Sequence, residues 1–173
     1  GGVDPEEAFT AALFQDMGML ASFAAMEDRY ASVIEGIQHR TLCSTEKKEF
    51  GFNHPTVGAG LAEKWKLPSD ICEAIRCHHD LDGVSDQNRE LARVVSMGAM
   101  ICDAMDSETA KSAIRKIERL SGDWYAKRAP SVEELLKEVA ETAKTLAKMF
   151  EQEIGDLPSS AELLSLAQDK TIE

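Results

Sequence analysis

Five polar residues in otherwise apolar surroundings are the ones best suited to chemistry: Gln15, Asp16, His54, His78 and His79. Gln15 and Asp16 lie in LFQDMGM, where an apolar segment carries an amide next to a carboxylate. Divalent metals that activate water against phosphate esters need several nitrogen and oxygen ligands converging from different helices. These residues are therefore candidates for a metal site. The alternative for Asp16 is a buried carboxylate that is hydrogen-bonded to His78 or His79.

The histidines have structural interpretations as well. His54 precedes Pro55 at a predicted helix start, where it could act as a cap. Neighbouring residues on a helix point about 100° apart. We therefore expect one of His78 and His79 to face a shared site, and the other to be exposed or to interact with the helix end. His39 lies near the predicted end of another helix, where we expect it, too, to be exposed or to interact with the helix end.

The elements that would position these residues are predicted to be helices almost throughout. Asp4 as a cap with Pro5 in the first turn predicts a helix that runs toward residue 25. Gly58 and Gly60 are expected to allow close approach of two helices. The other predicted helices cover about residues 29–39, 44–51, 55–65, 68–79, 86–105, 107–120 and 131–154, the last with a capping box at Ser131 and Glu134. No strand-like alternation is present, and the predicted fold class is all-α.

Composition narrows the range of functions. With 173 residues, of which 43% are hydrophobic, the chain can bury one substantial core. A net charge of −12 argues against a nucleic-acid surface, which needs clustered lysine and arginine. The longest apolar run, MGMLASFAAM, is shorter than the roughly 20 residues that span a bilayer. We therefore expect neither nucleic acid nor a membrane as a partner.

The four cysteines, Cys43, Cys72, Cys77 and Cys102, lie in predicted helices without paired spacing. They are interpreted as small, reduced core residues of a cytoplasmic protein. A zinc–thiolate site would need a close pair such as CxxC, and the spacing of Cys72 and Cys77 does not fit that pattern.

Several motifs follow one another in the order of a known family. They are Asp16-x-Gly18, Glu49 followed by Gly51-Phe52-Asn53-His54, Val57-Gly58, Trp65, Leu67-Pro68 and His78-His79. Over residues 5–105 the sequence resembles the HDOD family, the HD-related output domains of bacterial signalling proteins. This resemblance implies an HD-domain-like helical bundle.

The resemblance also leads to the HD and HD-GYP metal-dependent phosphohydrolases, whose ligands include an adjacent His-Asp pair and a distant aspartate. Here Gln15-Asp16 stands in place of the His-Asp pair. Ala99 falls near the position of the distant aspartate, and Met19 aligns with the lysine of the HD-GYP enzymes. The resemblance therefore implies that the ligand set is degenerate. Its remaining residues would be Gln15, Asp16, His54, His78 and His79, with no catalytic residue, no cofactor and no metal expected beyond an adventitious divalent ion.

The same resemblance suggests a domain organisation. Residues 1–129 would form the HDOD domain without the family's usual N-terminal helices. Residues 130–155 would form a long helix packed on it or extending from it, and residues 156–173 a tail or linker with a short helical piece.

The function implied is that of a non-catalytic signal-transduction output or interaction domain in the bacterial cytoplasm. Its expected partners are other signalling domains or proteins, including a second copy in a homodimer. Two alternatives remain open at this point: an HD-type metal-dependent phosphohydrolase or phosphodiesterase with an altered ligand set, and a purely structural scaffold.

Overall fold

The computed structural model describes residues 2–105, 108–125, 130–151 and 158–168, and within these ranges it contains helices and no strand. The predicted all-α fold class is therefore confirmed. The helices are α1 Pro5–Phe14, α2 Met17–Met26, α3 Asp28–Ile34, α4 His39–Phe50, α5 His54–Lys64, α6 Ser69–Cys77, α7 Arg89–Ala104, α8 Ala110–Tyr125, α9 Val132–Met149 and α10 Ser160–Gln168.

The chain divides into two compact units, Gly1–Ala99 and Met100–Glu173. The domain boundaries proposed from the sequence, after residues 129 and 155, both fall inside the second of these units. All five candidate site residues lie in the first unit.

A break at Gln15 and Asp16 interrupts the first apolar segment. The predicted single helix toward residue 25 is wrong, because α1 ends at Phe14 and α2 begins at Met17. The predicted cap is correct, since Asp4 accepts a hydrogen bond from the Glu6 N–H at 2.8 Å. The hydrophobic pattern continues across the break, so the pattern alone could not reveal it.

Counted across this break, Pro5–Met26 is a 22-residue stretch that contains an 18-residue window with a mean hydropathy of 1.2, of which 22% is buried. It passes the length and composition test for one membrane span, whereas the apolar run MGMLASFAAM is only its second half. A single such stretch is weak evidence, since a core helix of a soluble protein or a signal sequence passes the same test.

The segment from α3 to α4 differs from the prediction in a way that matters for the site. The helix expected over residues 29–39 ends at Ile34, and His39 begins α4 instead of ending α3. Gly36 lies between them with φ 72°, a conformation that favours glycine. The end of α4 is as predicted, because Gly51 follows it in the left-handed conformation with φ 81°.

The start of α5 is fixed by Asn53, whose side chain accepts a hydrogen bond from the Thr56 N–H at 3.2 Å, so His54 is not the cap. The expectation of close helix approach is correct for Gly58, since a Cβ there would lie 3.3 Å from the backbone N of Gly18 in α2. It is wrong for Gly60, where a Cβ would have no heavy atom within 4 Å.

The core of the first unit is formed by small and aliphatic side chains of α1, α5, α6, α7 and the loop between α6 and α7. Its buried members are Ala11, Ala59, Ala62, Ile71, Cys72, Ala74, Ile75, Val84, Leu91, Ala92 and Val95. Cys72 is a buried core residue as predicted, whereas Cys43 and Cys77 are half-buried and Cys102 is exposed. This core holds α5 and α6 side by side; His54 begins α5, and His78 and His79 directly follow α6.

The loop after α6 is held by Glu73. The carboxylate of Glu73 accepts hydrogen bonds from the Ser85 N–H at 2.8 Å, from the Ser85 hydroxyl at 2.9 Å and from the Asn88 side-chain amide. The hydrogen bond from the Ser85 backbone is the largest cause of a lowered pKa of Glu73, and the side-chain hydrogen bonds add to it. The ionised form therefore stabilises the folded loop.

We expect Glu73→Gln to lower the free energy of unfolding at pH 7 by about 1 kcal/mol, since hydrogen bonds to a charged group are stronger than those to a neutral one. Because the folded-state pKa of Glu73 lies below its unfolded value, this stabilisation is complete above the unfolded pKa and is lost as the pH falls through the folded one. Urea unfolding between pH 7 and pH 3 should show the two proteins converging.

Asp82→Asn is the control, because Asp82 is an exposed carboxylate in the same loop. A difference between wild type and Glu73→Gln that stays constant across this pH range would contradict the assignment.

The second unit has its own buried residues. The predicted capping box is confirmed: Ser131 accepts from the Glu134 N–H at 3.2 Å, and Glu134 accepts from the Ser131 N–H at 2.9 Å. The helix begins as predicted and ends at Met149, while Ile154 and the predicted cap Ser107 lie outside the described residues. In α10 the side chain of Leu163 is fully buried, so this helical piece packs within the second unit.

Candidate functional site

The candidate site of the first unit is a cluster in which imidazoles from the starts of α4 and α5 and from the end of α6 surround one carboxylate. Asp16 Oδ1 lies 3.4 Å from Nε2 of each of His39, His54 and His78. Nε2 of His54 lies 3.1 Å from Nε2 of His79. One donor atom from each of these five residues lies within 4.8 Å of every other.

Each member is placed by an element described above. Asp16 occupies the break between α1 and α2, His39 begins α4, and His54 begins α5. His78 and His79 follow the last turn of α6. The chain contains four histidines in total, and all four are in this cluster. We refer to these five residues as the histidine cluster.

His54 is fixed by a buried carboxylate on the side away from Asp16. Glu46 of α4 is fully buried and lies with its Oε2 2.7 Å from His54 Nδ1. The same oxygen accepts the His54 backbone N–H at 2.9 Å, and the other oxygen accepts the hydroxyl of Tyr30. A carboxylate behind an imidazole in this way orients the ring and its Nε2.

His78 is oriented by a backbone group. Its Nδ1 lies 2.7 Å from the carbonyl oxygen of Ile75, and since a carbonyl can only accept, Nδ1 carries the proton. The side chain is 1% exposed, yet its Nε2 has no hydrogen-bond partner among the described residues. The distance of 3.4 Å to Asp16 is longer than an ordinary hydrogen bond of about 2.9–3.0 Å.

The charges of the cluster are strongly coupled. Burial would raise the pKa of Asp16, but the interactions with His39, His54 and His78 lower it well below its usual range. Burial would lower the pKa of His54, but its contacts with Asp16, Cys43 and Glu46 raise it to about 11. Burial and the charges of the neighbouring imidazoles lower the pKa of His79 to about 3. Asp16 is therefore ionised at neutral pH, and the rings of His54 and His79 differ in protonation.

The structure brings together four of the five residues singled out from the sequence: Asp16, His54, His78 and His79. The expectation that only one of His78 and His79 faces the site is wrong, because the chain leaves α6 after Cys77 and both rings turn toward His54. Gln15 is buried outside this donor set, and its Oε1 has no hydrogen-bond partner among the described residues.

Two members of the site were missed by sequence reasoning. His39 was placed at the end of a helix, although it begins α4 and lies 3.4 Å from Asp16. Glu46 was not considered at all. The signal for Glu46 is its position four residues after the buried Leu42 on the same helix face, which becomes visible once α4 is known to begin at His39.

A second, smaller group of donors borders the cluster. Cys43, Glu46 and His54 also have donor atoms within 4.8 Å of one another. Cys43 Sγ lies 3.9 Å from His54 Nδ1, a nitrogen that Glu46 already holds. We therefore assign Glu46 to the positioning of His54.

The fold and the site define a helical protein with a histidine–carboxylate cluster between its helices. The family model of the HDOD domain matches residues 1–81, and this part of the chain belongs to the HDOD domain family. The resemblance seen in the sequence extended further, to about residue 105.

One similar protein is an uncharacterized protein of Treponema pallidum (strain Nichols), with 31% identity over 100 residues. The match covers 58% of this chain and 18% of that protein, so the chain spans less than a fifth of this relative's length. No solved structure matches the chain.

Proposed function

We propose that this chain is a non-catalytic signal-transduction domain of the HDOD type that works in the bacterial cytoplasm by binding other signalling domains or proteins. HDOD membership of residues 1–81 supports the regulatory role. The observation that carries the proposal is an exposed apolar surface on the first unit, next to the histidine cluster.

This surface, which we call the apolar face, consists of Leu13, Met17, Leu20, Leu61 and Trp65. These side chains line an open groove of about 920 Å³, and Asp16 lies at its edge. Leu20 is 74% exposed and Trp65 is 56% exposed. Apolar side chains grouped on a surface in this way are typical of protein–protein contacts.

Three positions argue against hydrolysis. Ala99 lies near the position at which the HD enzymes have their distant aspartate, and a buried alanine offers no ligand. Gln15 replaces the imidazole of the His-Asp pair with an amide, which is a poorer metal ligand. Met19, at the position of the HD-GYP lysine, lines the apolar groove and offers no cation to a phosphate.

A hydrolysis assay tests the non-catalytic role. The full chain is incubated with bis(p-nitrophenyl) phosphate and Mn²⁺, beside the Asp16→Ala variant. We expect release of nitrophenol to be the same for both proteins and equal to that of buffer with Mn²⁺. Turnover by the wild type that Asp16→Ala abolishes would make the proposal wrong.

That outcome would favour the second candidate function, an HD-type metal-dependent phosphohydrolase with an altered ligand set. The observation in its favour is the histidine cluster itself, which gathers four imidazoles and a carboxylate. Turnover distinguishes the two functions, whereas binding of a metal alone does not.

The apolar face can be tested with a second copy of the chain as its partner. Sedimentation velocity over a range of concentrations should show association that Leu20→Glu weakens, because a charge in an apolar contact is costly. Met149→Glu is the matched control, since Met149 is 71% exposed and belongs to the second unit. A chain that stays monomeric at every concentration would exclude the homodimer.

A further inference from the structure

We propose that the histidine cluster binds one divalent transition-metal ion per chain, with His39 of α4 supplying an imidazole ligand in addition to Asp16, His54, His78 and His79. This reverses the sequence-based expectation that no metal is held. The inference does not depend on the proposed function, since a bound ion can be structural or regulatory without turnover.

The spacing of the donor atoms fits a common ligand sphere. Ligands bound at about 2.1 Å from a metal lie about 3.0–3.4 Å from their nearest neighbours, by simple octahedral or tetrahedral geometry. The three distances from Asp16 Oδ1 to imidazole Nε2 atoms are 3.4 Å, and that between His54 and His79 is 3.1 Å. The three distances of 3.4 Å are long for hydrogen bonds, and all four separations are ordinary for atoms that share one ion.

The orientation of the two most buried rings is a second, independent observation. His78 donates from Nδ1 to the Ile75 carbonyl, and His54 faces the Glu46 carboxylate with its Nδ1. Metal-bound imidazoles have this arrangement, in which one ring nitrogen contacts a carbonyl or carboxylate and the other contacts the ion.

The unpartnered Nε2 of His78 points to the same conclusion. A buried polar atom without a partner is costly, and native proteins rarely leave one unexplained. Since Nδ1 is engaged by the Ile75 carbonyl, Nε2 is the ring nitrogen left to bind an ion, and it lies 3.4 Å from Asp16 Oδ1. A cation bound between these two atoms would give both of them a partner.

His39 makes this donor set different from the one implied by the sequence resemblance. The resemblance placed an imidazole at Gln15, which lies in the chain next to Asp16. The structure instead places an imidazole from α4 beside Asp16, with 26% of its side chain exposed. His39, which lies 24 positions after Gln15 in the chain, would thus provide the nitrogen ligand that Gln15 lacks.

The donor chemistry selects the class of ion. Four imidazole nitrogens and one carboxylate oxygen suit Zn²⁺, Fe²⁺, Ni²⁺ or Cu²⁺, whereas Mg²⁺ and Ca²⁺ prefer oxygen ligands. The side of the cluster formed by Asp16 and His39 is partly open to solvent, with 39% and 26% of these side chains exposed, which gives an ion a path to the donors.

The experiment uses the full chain without a histidine tag, stripped of metal with a chelator and dialysed. Zn²⁺ is titrated by calorimetry, and the zinc retained after a second dialysis is counted per chain. We expect one Zn²⁺ per chain, no competition from millimolar Mg²⁺, and a higher melting temperature when the ion is bound.

The variant that tests His39 is His39→Ala, whose matched control is Thr41→Ala in the same helical turn. Thr41 is exposed, and its hydroxyl donates to the Gln38 carbonyl just before the helix, away from the donor set. We expect His39→Ala to weaken zinc binding by about tenfold or more, in line with ligand-shell losses, while its helical circular dichroism stays that of the wild type. Thr41→Ala should bind zinc like the wild type.

Two further results would overturn the proposal. One is a wild-type chain that retains no zinc, and the other is equal binding by wild type and His39→Ala. Cys43→Ser distinguishes the neighbouring donor group: if it weakens binding more than His39→Ala does, the ion belongs to Cys43, Glu46 and His54 and the assignment is wrong. The hydrolysis assay described above is a separate readout, so failure of this site and failure of the proposed function can be told apart.

Discussion

Replacing Glu46 with leucine should lower the free energy of unfolding by about 3–5 kcal/mol, the usual cost of removing one partner from a buried charged pair. Glu46 is fully buried and accepts hydrogen bonds from the Tyr30 hydroxyl, the His54 backbone N–H and the His54 ring. Leucine can accept none of these, so three buried donors would lose their partner at once. Urea unfolding in the presence of a chelator measures the effect on the metal-free protein.

The comparison with Glu49 makes this expectation specific. Glu49 lies three residues further along α4 and is exposed, so Glu49→Leu should change the free energy of unfolding by about 0.5 kcal/mol or less. Glu46→Gln should fall between the two leucine variants, since an amide keeps an accepting oxygen. If both leucine variants have the same stability, Glu46 does not hold His54 in the way described.

The second large effect is expected from Gly18→Ala. A Cβ at this position would lie 2.0 Å from the carbonyl oxygen of His54 and 2.7 Å from the backbone N of Gly58. Both are backbone atoms of α5, so the collision cannot be relieved by rotating a side chain. Overpacking of this severity should lower the free energy of unfolding by about 3 kcal/mol or more. Thermal and urea unfolding would measure it.

Gly60→Ala is the matched control with the opposite sign. Gly60 lies in the same helix as Gly58, is exposed, and has no heavy atom within 4 Å of where a Cβ would be. Because alanine is the better helix former, this variant should gain about 0.5–1 kcal/mol. A Gly18→Ala protein as stable as the wild type would mean that α2 and α5 are further apart than the structure has them.

The parts of the fold that the sequence predicted correctly are those set by local chemistry. Asp4, Gly51 and the Ser131–Glu134 pair mark helix ends through hydrogen bonds or backbone conformations within a few residues. Such signals depend on the local chain alone, so they can be read without knowing the tertiary structure.

What the sequence did not reveal depends on contacts between distant segments. The break at Asp16 occurs where Gly18 meets the backbone of α5, about forty residues further along the chain. His39 was assigned to the wrong helix end because the effect of Gly36 was not recognised, and this assignment hid its contact with Asp16. The site was therefore only partly predictable: four of its five donors follow from motifs, while the fifth requires the packing of α4.

The restriction of all four histidines to Gly1–Ala99 has a practical consequence for spectroscopy. Imidazole proton resonances in this protein arise from the first unit alone, whereas far-ultraviolet circular dichroism sums the helices of both. Following one thermal melt by both signals compares the first unit with the whole chain, without any label or truncation. Coincident curves would indicate cooperative melting of the two units, and a separate imidazole transition would give the first unit its own midpoint.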